Sequence, residues 1–293
     1  MPAIIRQNPR GLILKRAIRV LSDLVFISGA MTGASDAYVL DGRHVLELML
    51  DHLNLPEQMR VEQTLTVFDG RFESGQLAIE QTVCYKTPGN FRSEIKTEDR
   101  HRIYLAAGDE TLTIVDGKIV SRASEALCHY KDLFCYRHRQ SLADHLRYLG
   151  MHVSVSSYGR WKEKVVYVIG ARYPNASMPQ LWVEKGSFLP MRWIYQPEAP
   201  DAGRDKIEFR YKDWQQTGDS WYPRVIEIYK GEGVMRRIDV TGIRINPEFL
   251  SDFFNIDHLK AVYAAPAPES EQPAAGDDID RQIENFRKIF EPE

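Results

Sequence analysis

Cysteine is scarce in this chain: Cys84, Cys128 and Cys135 are the only three in 293 residues. An odd, low count describes no disulfide framework. In an oxidising compartment Cys128 and Cys135 could pair, although on one helix that spacing holds them too far apart. Otherwise all three read as small buried hydrophobes. Charge of one sign is also lacking. The net charge is −3, without the basic stripe that nucleic-acid recognition needs, so no nucleic-acid partner is expected. Beyond the first forty residues no apolar run approaches the ~20 residues of a membrane-spanning helix. There is no Gly-rich phosphate loop, no G-x-S-x-G elbow and no H-E-x-x-H pair. No carboxylate spacing singles out a pair, no cofactor is implied, and the chain reads as non-catalytic. An enzyme whose site is assembled from distant strands is the standing alternative, because such a site leaves no local motif.

The nearest approach to a metal or catalytic constellation is Cys128, His129, Cys135, His138, His145 and His152. Structural zinc sites usually draw ligands in close pairs two to five residues apart. Only Cys135 and His138 approach that, while the later histidines recur every seven residues. This recurrence reads as a partly exposed helical stripe, and no metal is expected.

Hydrophobic residues make up 43% of the chain and aromatics 11%, enough for a sizeable core and unlike a disordered chain. Residues 1–37 read as an export signal. Arg6, Arg10, Lys15, Arg16 and Arg19 form a basic start, Val20 to Ala34 is mostly apolar or small, and Ser35-Asp36-Ala37 offers a cleavage site. Asp23 interrupts the apolar run, and an ordinary core helix is the alternative. A helix is predicted from Asp41 to Leu55, with Asp41 as cap and Val45, Leu46, Met49, Leu50 and Leu53 on one face.

After Pro56 the period becomes two. Met59, Val61, Leu65 and Val67 alternate with polar residues, Gln63 being the polar exception on the apolar side. Leu77, Ile79, Val83 and Tyr85 repeat the pattern beyond Asp69-Gly70, and Asp116-Gly117 marks another hairpin. A helical island is expected at Ser141–Gly150, with Ser141 and Asp144 as a capping box. Strands resume at Val153 to Val155 and continue to Ile245, including a hairpin of Leu181–Glu184 with Leu189–Tyr195. About ten strands with turns between them and no βαβ alternation predict a mainly β, α+β fold: one curved antiparallel sheet. Ala264 to Asp278 reads as a disordered linker. Ile279, Ile283, Phe286 and Phe290 form a short amphipathic C-terminal helix over 279–293, which docks on its own domain, on an envelope membrane protein or at a cavity mouth.

Four segments, in order, resemble the outer-membrane lipoprotein-sorting carriers, the LolA/LolB-like superfamily. The exported start, helix and first strand come first. Val83 to Arg92, with its Thr87-Pro88-Gly89 turn and Phe91, is similar to a family strand and turn. Leu181 to Trp193, with Leu189-Pro190, resembles a family hairpin, and Asn246 to Ile256 resembles the closure after the last strand. The lipoprotein chaperone carries Arg immediately before the turn proline, where this chain has Thr87. The resemblance covers roughly residues 38–257. It implies a domain over 38–263, an open half-barrel with helices across its concave face. It also implies a periplasmic, soluble carrier that takes acyl chains of a lipid or lipoprotein into an apolar cavity. The second reading is an envelope-stress sensor or scaffold module.

The residues read as lining that cavity are Leu65, Val67, Leu77, Ile79, Val83, Tyr85, Phe91, Trp182, Met191, Trp193 and Tyr195. In a regular hairpin Met191, Trp193 and Tyr195 share one face. A patch of that size is covered either by the protein's own helices or by a ligand.

Overall fold

The computed structural model describes residues 39–98, 100–120, 126–197 and 206–264. The chain divides into two compact units at Val39 and Leu40, and the second holds every helix and strand named here. The segments read as export signal and C-terminal helix, and the linker beyond Ala264, lie outside the described residues.

Helix α1 spans Gly42–Leu53, where the Asp41 carboxylate accepts from the Arg43 amide and Asn54 closes the helix in the left-handed region. Its apolar face is the predicted one, with Val45, Leu46, Met49, Leu50 and Leu53 all buried. Thirteen described strands follow: β1 (Gln58–Phe68), β2 (Gln76–Lys86), β3 (Asn90–Lys96), β4 (His101–Ala107), β5 (Glu110–Val115), β6 (Lys118–Val120), β7 (Ser156–Trp161), β8 (Lys164–Ile169), β9 (Gln180–Glu184), β10 (Pro190–Tyr195), β11 (Ile207–Thr217), β12 (Ser220–Lys230) and β13 (Gly233–Ile245). They form one antiparallel sheet in the order β6-β5-β4-β3-β2-β1-β13-β12-β11-β10-β9-β8-β7. Two meanders, β1–β6 and β7–β13, are therefore joined where β1 pairs β13, and β6 and β7 are left as edges. The Asn246 amide donates to Gln58 O and its side chain accepts from the Gln58 amide, fastening that junction.

Between the meanders run a 3-10 helix, Ala126–Phe134, and α2, Arg139–Tyr148. The 3-10 helix packs on β11 and β12, and α1 packs on β12, β8 and α2. These three pieces cover the inner face of the sheet. The last helix, α3 (Ile256–Ala264), does not. It lies on the outer face, where Ile256 and Leu259 pack against Ile103, Leu105, Leu112 and Ile114 of β4 and β5.

Three local expectations are corrected. The island helix starts at Arg139, and its N-cap is His138 with no side-chain bond, so Ser141 is not the cap. The strand expected at Val153–Val155 begins at Ser156. Val153 instead backs onto Gly42, where a Cβ would stand 2.3 Å from Val153 O. The third concerns Met191. A β-bulge between Pro190 and Arg192 leaves it without a partner on β9, and it packs with Val166, Val168 and Trp182. One extra residue in a strand turns the residues after it to the other face. Met191 and Trp193 therefore point to opposite sides.

Candidate functional site

The alternation of β1 and β2 builds the inner wall. Register pairs Val61 with Val83, Leu65 with Ile79 and Val67 with Leu77, so these side chains share one face. Phe91 opposes Tyr85 on β3, and Trp193 and Tyr195 extend the wall across β10, with Trp193 opposite Phe209. Nine of the eleven sequence-predicted residues thus lie on the inner face. Trp182 and Met191 lie on the outer one, with Trp161.

The inner wall is covered by the chain itself. Phe134 of the 3-10 helix sits among the rings of Tyr85, Tyr211, Trp214 and Tyr222 at 4.6–6.3 Å. Leu127, Tyr130 and Leu133 are buried beside it. Polar groups hold this plug in place. Gln63 is fully buried and donates to the Tyr130 hydroxyl of the plug at 3.4 Å and to Gln81, which donates to Ser93. The Tyr211 hydroxyl donates to Tyr130 O, and the Gly89 amide donates to Cys135 O. Gly89 has φ +73°, which the turn beneath the plug requires and an L residue rarely adopts. Between plug and sheet, beside Leu65, Phe91 and Tyr130, remains a cavity of about 20 Å³. A molecule larger than water does not fit there.

Beside the plug, open space lies at its rim. A cleft of about 680 Å³ runs between the inner face of β4–β5 (Tyr104, Ala106, Thr111) and the 3-10 helix with α2 (Tyr136, Tyr148, Leu149). That is the size of a small-molecule pocket. None of the eleven predicted residues lines it.

At its base His129 Nδ1 and His145 Nε2 each stand 2.7 Å from Asp132 Oδ2, and Lys131 Nζ is 2.8 Å from Asp132 Oδ1. Burial pushes the Asp132 carboxyl up, but the Lys131 ammonium and His129 outweigh it and hold it well below the usual carboxylate range. Burial alone would lower the Lys131 ammonium; Asp132 instead keeps it well above its ordinary value. Of the six residues in the Cys/His constellation, only His129 and His145 meet. The residue that joins them, Asp132, belongs to neither a Cys nor a His pattern and stands 13 positions from His145. Its i, i+3 relation to His129 is the one available signal, because a 3-10 turn stacks those positions.

All three cysteines are free, with Cys84 and Cys135 buried. Burial pushes both thiols up to about 12.

No family model matches the sequence, and no curated protein does. Among solved structures, a LolA superfamily protein from Nitrosomonas europaea superposes over 75% of this chain and 100% of its own, with 12% identity and a TM-score of 0.53. The fold is LolA-like. A lipoprotein-sorting protein domain from Vibrio parahaemolyticus (10% identity, 75% of this chain, 100% of its own, TM-score 0.49) and a DUF1329 family protein from Desulfovibrio piger (13%, 74%, 97%, 0.48) score slightly lower. Among the described residues no helix is long and apolar enough to cross a membrane.

Proposed function

We propose that this protein is a non-catalytic periplasmic carrier that takes acyl chains of a lipid or lipoprotein onto the inner face of its sheet, displacing the plug formed by residues 126–149. The observation carrying the reading is that an aromatic wall is covered by a helical insert rather than by a second sheet.

The magnitudes permit exchange. A chain of about fourteen methylenes at ~0.8 kcal/mol each gains on the order of 11 kcal/mol by leaving water. Exposing Leu127, Tyr130, Leu133 and Phe134 costs about 1.5–3 kcal/mol for each large apolar side chain, on the order of 6–12 kcal/mol together. The two are close enough for a guest to replace the plug and for the plug to return. The acyl side of this exchange calls for no specific polar contacts, which accords with the lack of any ligand motif, while the plug side gives up the bonds of Tyr130 O and Cys135 O. The 680 Å³ cleft beside the plug offers the entry.

The test is native mass spectrometry of protein from an envelope fraction, with uptake of a fluorescent fatty acid by the purified chain. Copurifying lipid and stoichiometric, saturable uptake are expected. Absence of both would remove the carrier reading. The close filling of the inner face favours a second reading, a regulatory or scaffold module for another envelope protein that uses its outer surface or the segment 279–293. Deleting residues 264–293 separates the two: a carrier keeps its uptake, and a module loses its partner in a pull-down.

A further inference from the structure

We infer that His129, Asp132 and His145 form a mononuclear zinc site that clasps the 3-10 helix to α2. Their ligand atoms, Nδ1, Oδ2 and Nε2, all lie within 4.8 Å of one another. The two histidines approach the same carboxylate oxygen from different elements, His129 from the 3-10 helix and His145 from α2. Asp132 is 3% exposed, so this is no solvated surface cluster.

The donor set is two imidazoles and one carboxylate, which suits zinc and other late first-row ions better than magnesium or calcium. Three protein ligands with one position open to a cleft is the arrangement of a zinc site that keeps a water or exogenous ligand. A tetrahedral ion with ligands at ~2.05 Å separates them by about 3.3 Å. Each ring would therefore withdraw about 0.6 Å from Asp132 Oδ2, within reach of small torsional changes in partly exposed side chains. His129 is 13% and His145 21% exposed on the side chain, which leaves room for that shift.

Lys131 decides the finer chemistry. Its ammonium sits on Oδ1, the oxygen turned away from the histidines, and so orients the carboxylate as outer partners of metal ligands do. It also adds a positive charge near the ion. Zinc and Lys131 against one carboxylate leave an excess of positive charge, so the fourth ligand taken from the cleft is an anion, hydroxide or a carboxylate, in preference to a neutral water. A bound ion would join the residue pairs at the two ends of the plug and hold it closed.

The experiment uses the full chain without a histidine tag, stripped with a chelator and titrated with zinc in a calorimeter, with magnesium as control. One zinc per chain and no heat from magnesium are expected. H129Q/H145Q should weaken zinc by at least about 100-fold, since even the loss of outer-shell partners costs ~10–100-fold. H145Q alone, on the more exposed ring, serves if the double variant fails to fold by circular dichroism. Cobalt should give the intense visible absorption of a four-coordinate ion in the wild type and lose it in H145Q. A wild-type chain that takes no zinc, or a folded variant that binds it as tightly, overturns the site and leaves the trio as a hydrogen-bonded latch.

Discussion

The two faces of the sheet both carry aromatic rings, and they use them differently. On the inner face Tyr85, Phe91, Trp193, Phe209 and Tyr222 are each no more than 2% exposed and are closed over by a helical plug. On the outer face Trp161 and Trp182 lie under the Arg192 guanidinium at 4.7–4.8 Å, and Tyr229 lies under Arg210 at 3.8 Å. Glu208 binds both arginines, and Glu227 accepts from Lys212 and Tyr229. Rings interleaved with paired ions carry cations on their faces, and an open cleft of about 580 Å³ remains beside Trp161 and Met191. The inner rings pack on one another and on the helical insert, whose Lys131 ammonium lies 5.3 Å from the Phe91 ring, and under the proposed exchange they are the area that another apolar body would cover. Aromatic content therefore does not identify a binding wall; what the rings touch does.

The largest effect that separates the faces should come from Phe134→Ala. Removing a ring that is 1% exposed from an aromatic nest costs about 3–5 kcal/mol of stability. It should also speed fatty-acid uptake, because it loosens the plug without altering the wall. A lowered melting temperature with unchanged uptake would detach the plug from ligand entry.

Next comes a pair of substitutions two residues apart. Trp193→Asp, on the inner face, should abolish uptake in protein whose circular dichroism is intact. Met191→Ala, turned outward by the bulge, should leave uptake within about twofold, because a change that removes no contact with the ligand removes no binding energy. Equal losses from both would mean that the hairpin is regular and the faces are wrongly assigned.

A smaller effect is expected on the outer ladder. Burial pushes the Glu227 carboxyl up, but hydrogen bonds from Lys212 and Tyr229 prevail and hold it below its ordinary value of 4.5. A lowered value in the fold means stability that is present above about pH 4.5 and lost as pH falls through the lowered value. Wild-type protein should therefore lose more stability than Glu227→Gln in acid melts, and the two should differ by under about 1 kcal/mol near neutrality. A Glu227→Gln melt as acid-sensitive as the wild type would contradict it.

The smallest test changes no residue. In native protein near pH 8 a thiol reagent should modify half-buried Cys128 well before Cys84 and Cys135. Cys84 lies opposite Arg60 and Arg92 on the outer face, so Cys135 reports on the plug: its reaction as fast as that of Cys128 would show that the plug stands open.

Much of this architecture is legible in the chain. Asp116-Gly117 and the alternation of β1 and β2 specify their hairpins, and the apolar stripe of α1 faces where its periodicity says. Gln63, the polar exception, lies on the inner face as its position requires, and its partners Gln81 and Ser93 come from neighbouring strands. The bulge at Met191 is not legible, because Pro190-Met191-Arg192 alternates as well in a regular strand as in a bulged one. Helix α3 does not announce itself either. Ile256 falls at the end of a closure motif, and a nine-residue helix draws its stability from packing on β4 and β5 rather than from its own sequence. The His129–Asp132–His145 group is hidden for a similar reason. Its members are joined by the turn between the 3-10 helix and α2, and a seven-residue recurrence of histidines carries no information about that turn.

Hydrogen exchange on the full chain, with and without saturating fatty acid, tests most directly whether the inner face is a guest site closed by a displaceable plug. Faster exchange confined to residues 126–149, with β1–β3 as protected as before or more so, is the predicted result. No change anywhere, or altered protection centred on Trp161 and Trp182 of the outer face, would contradict it.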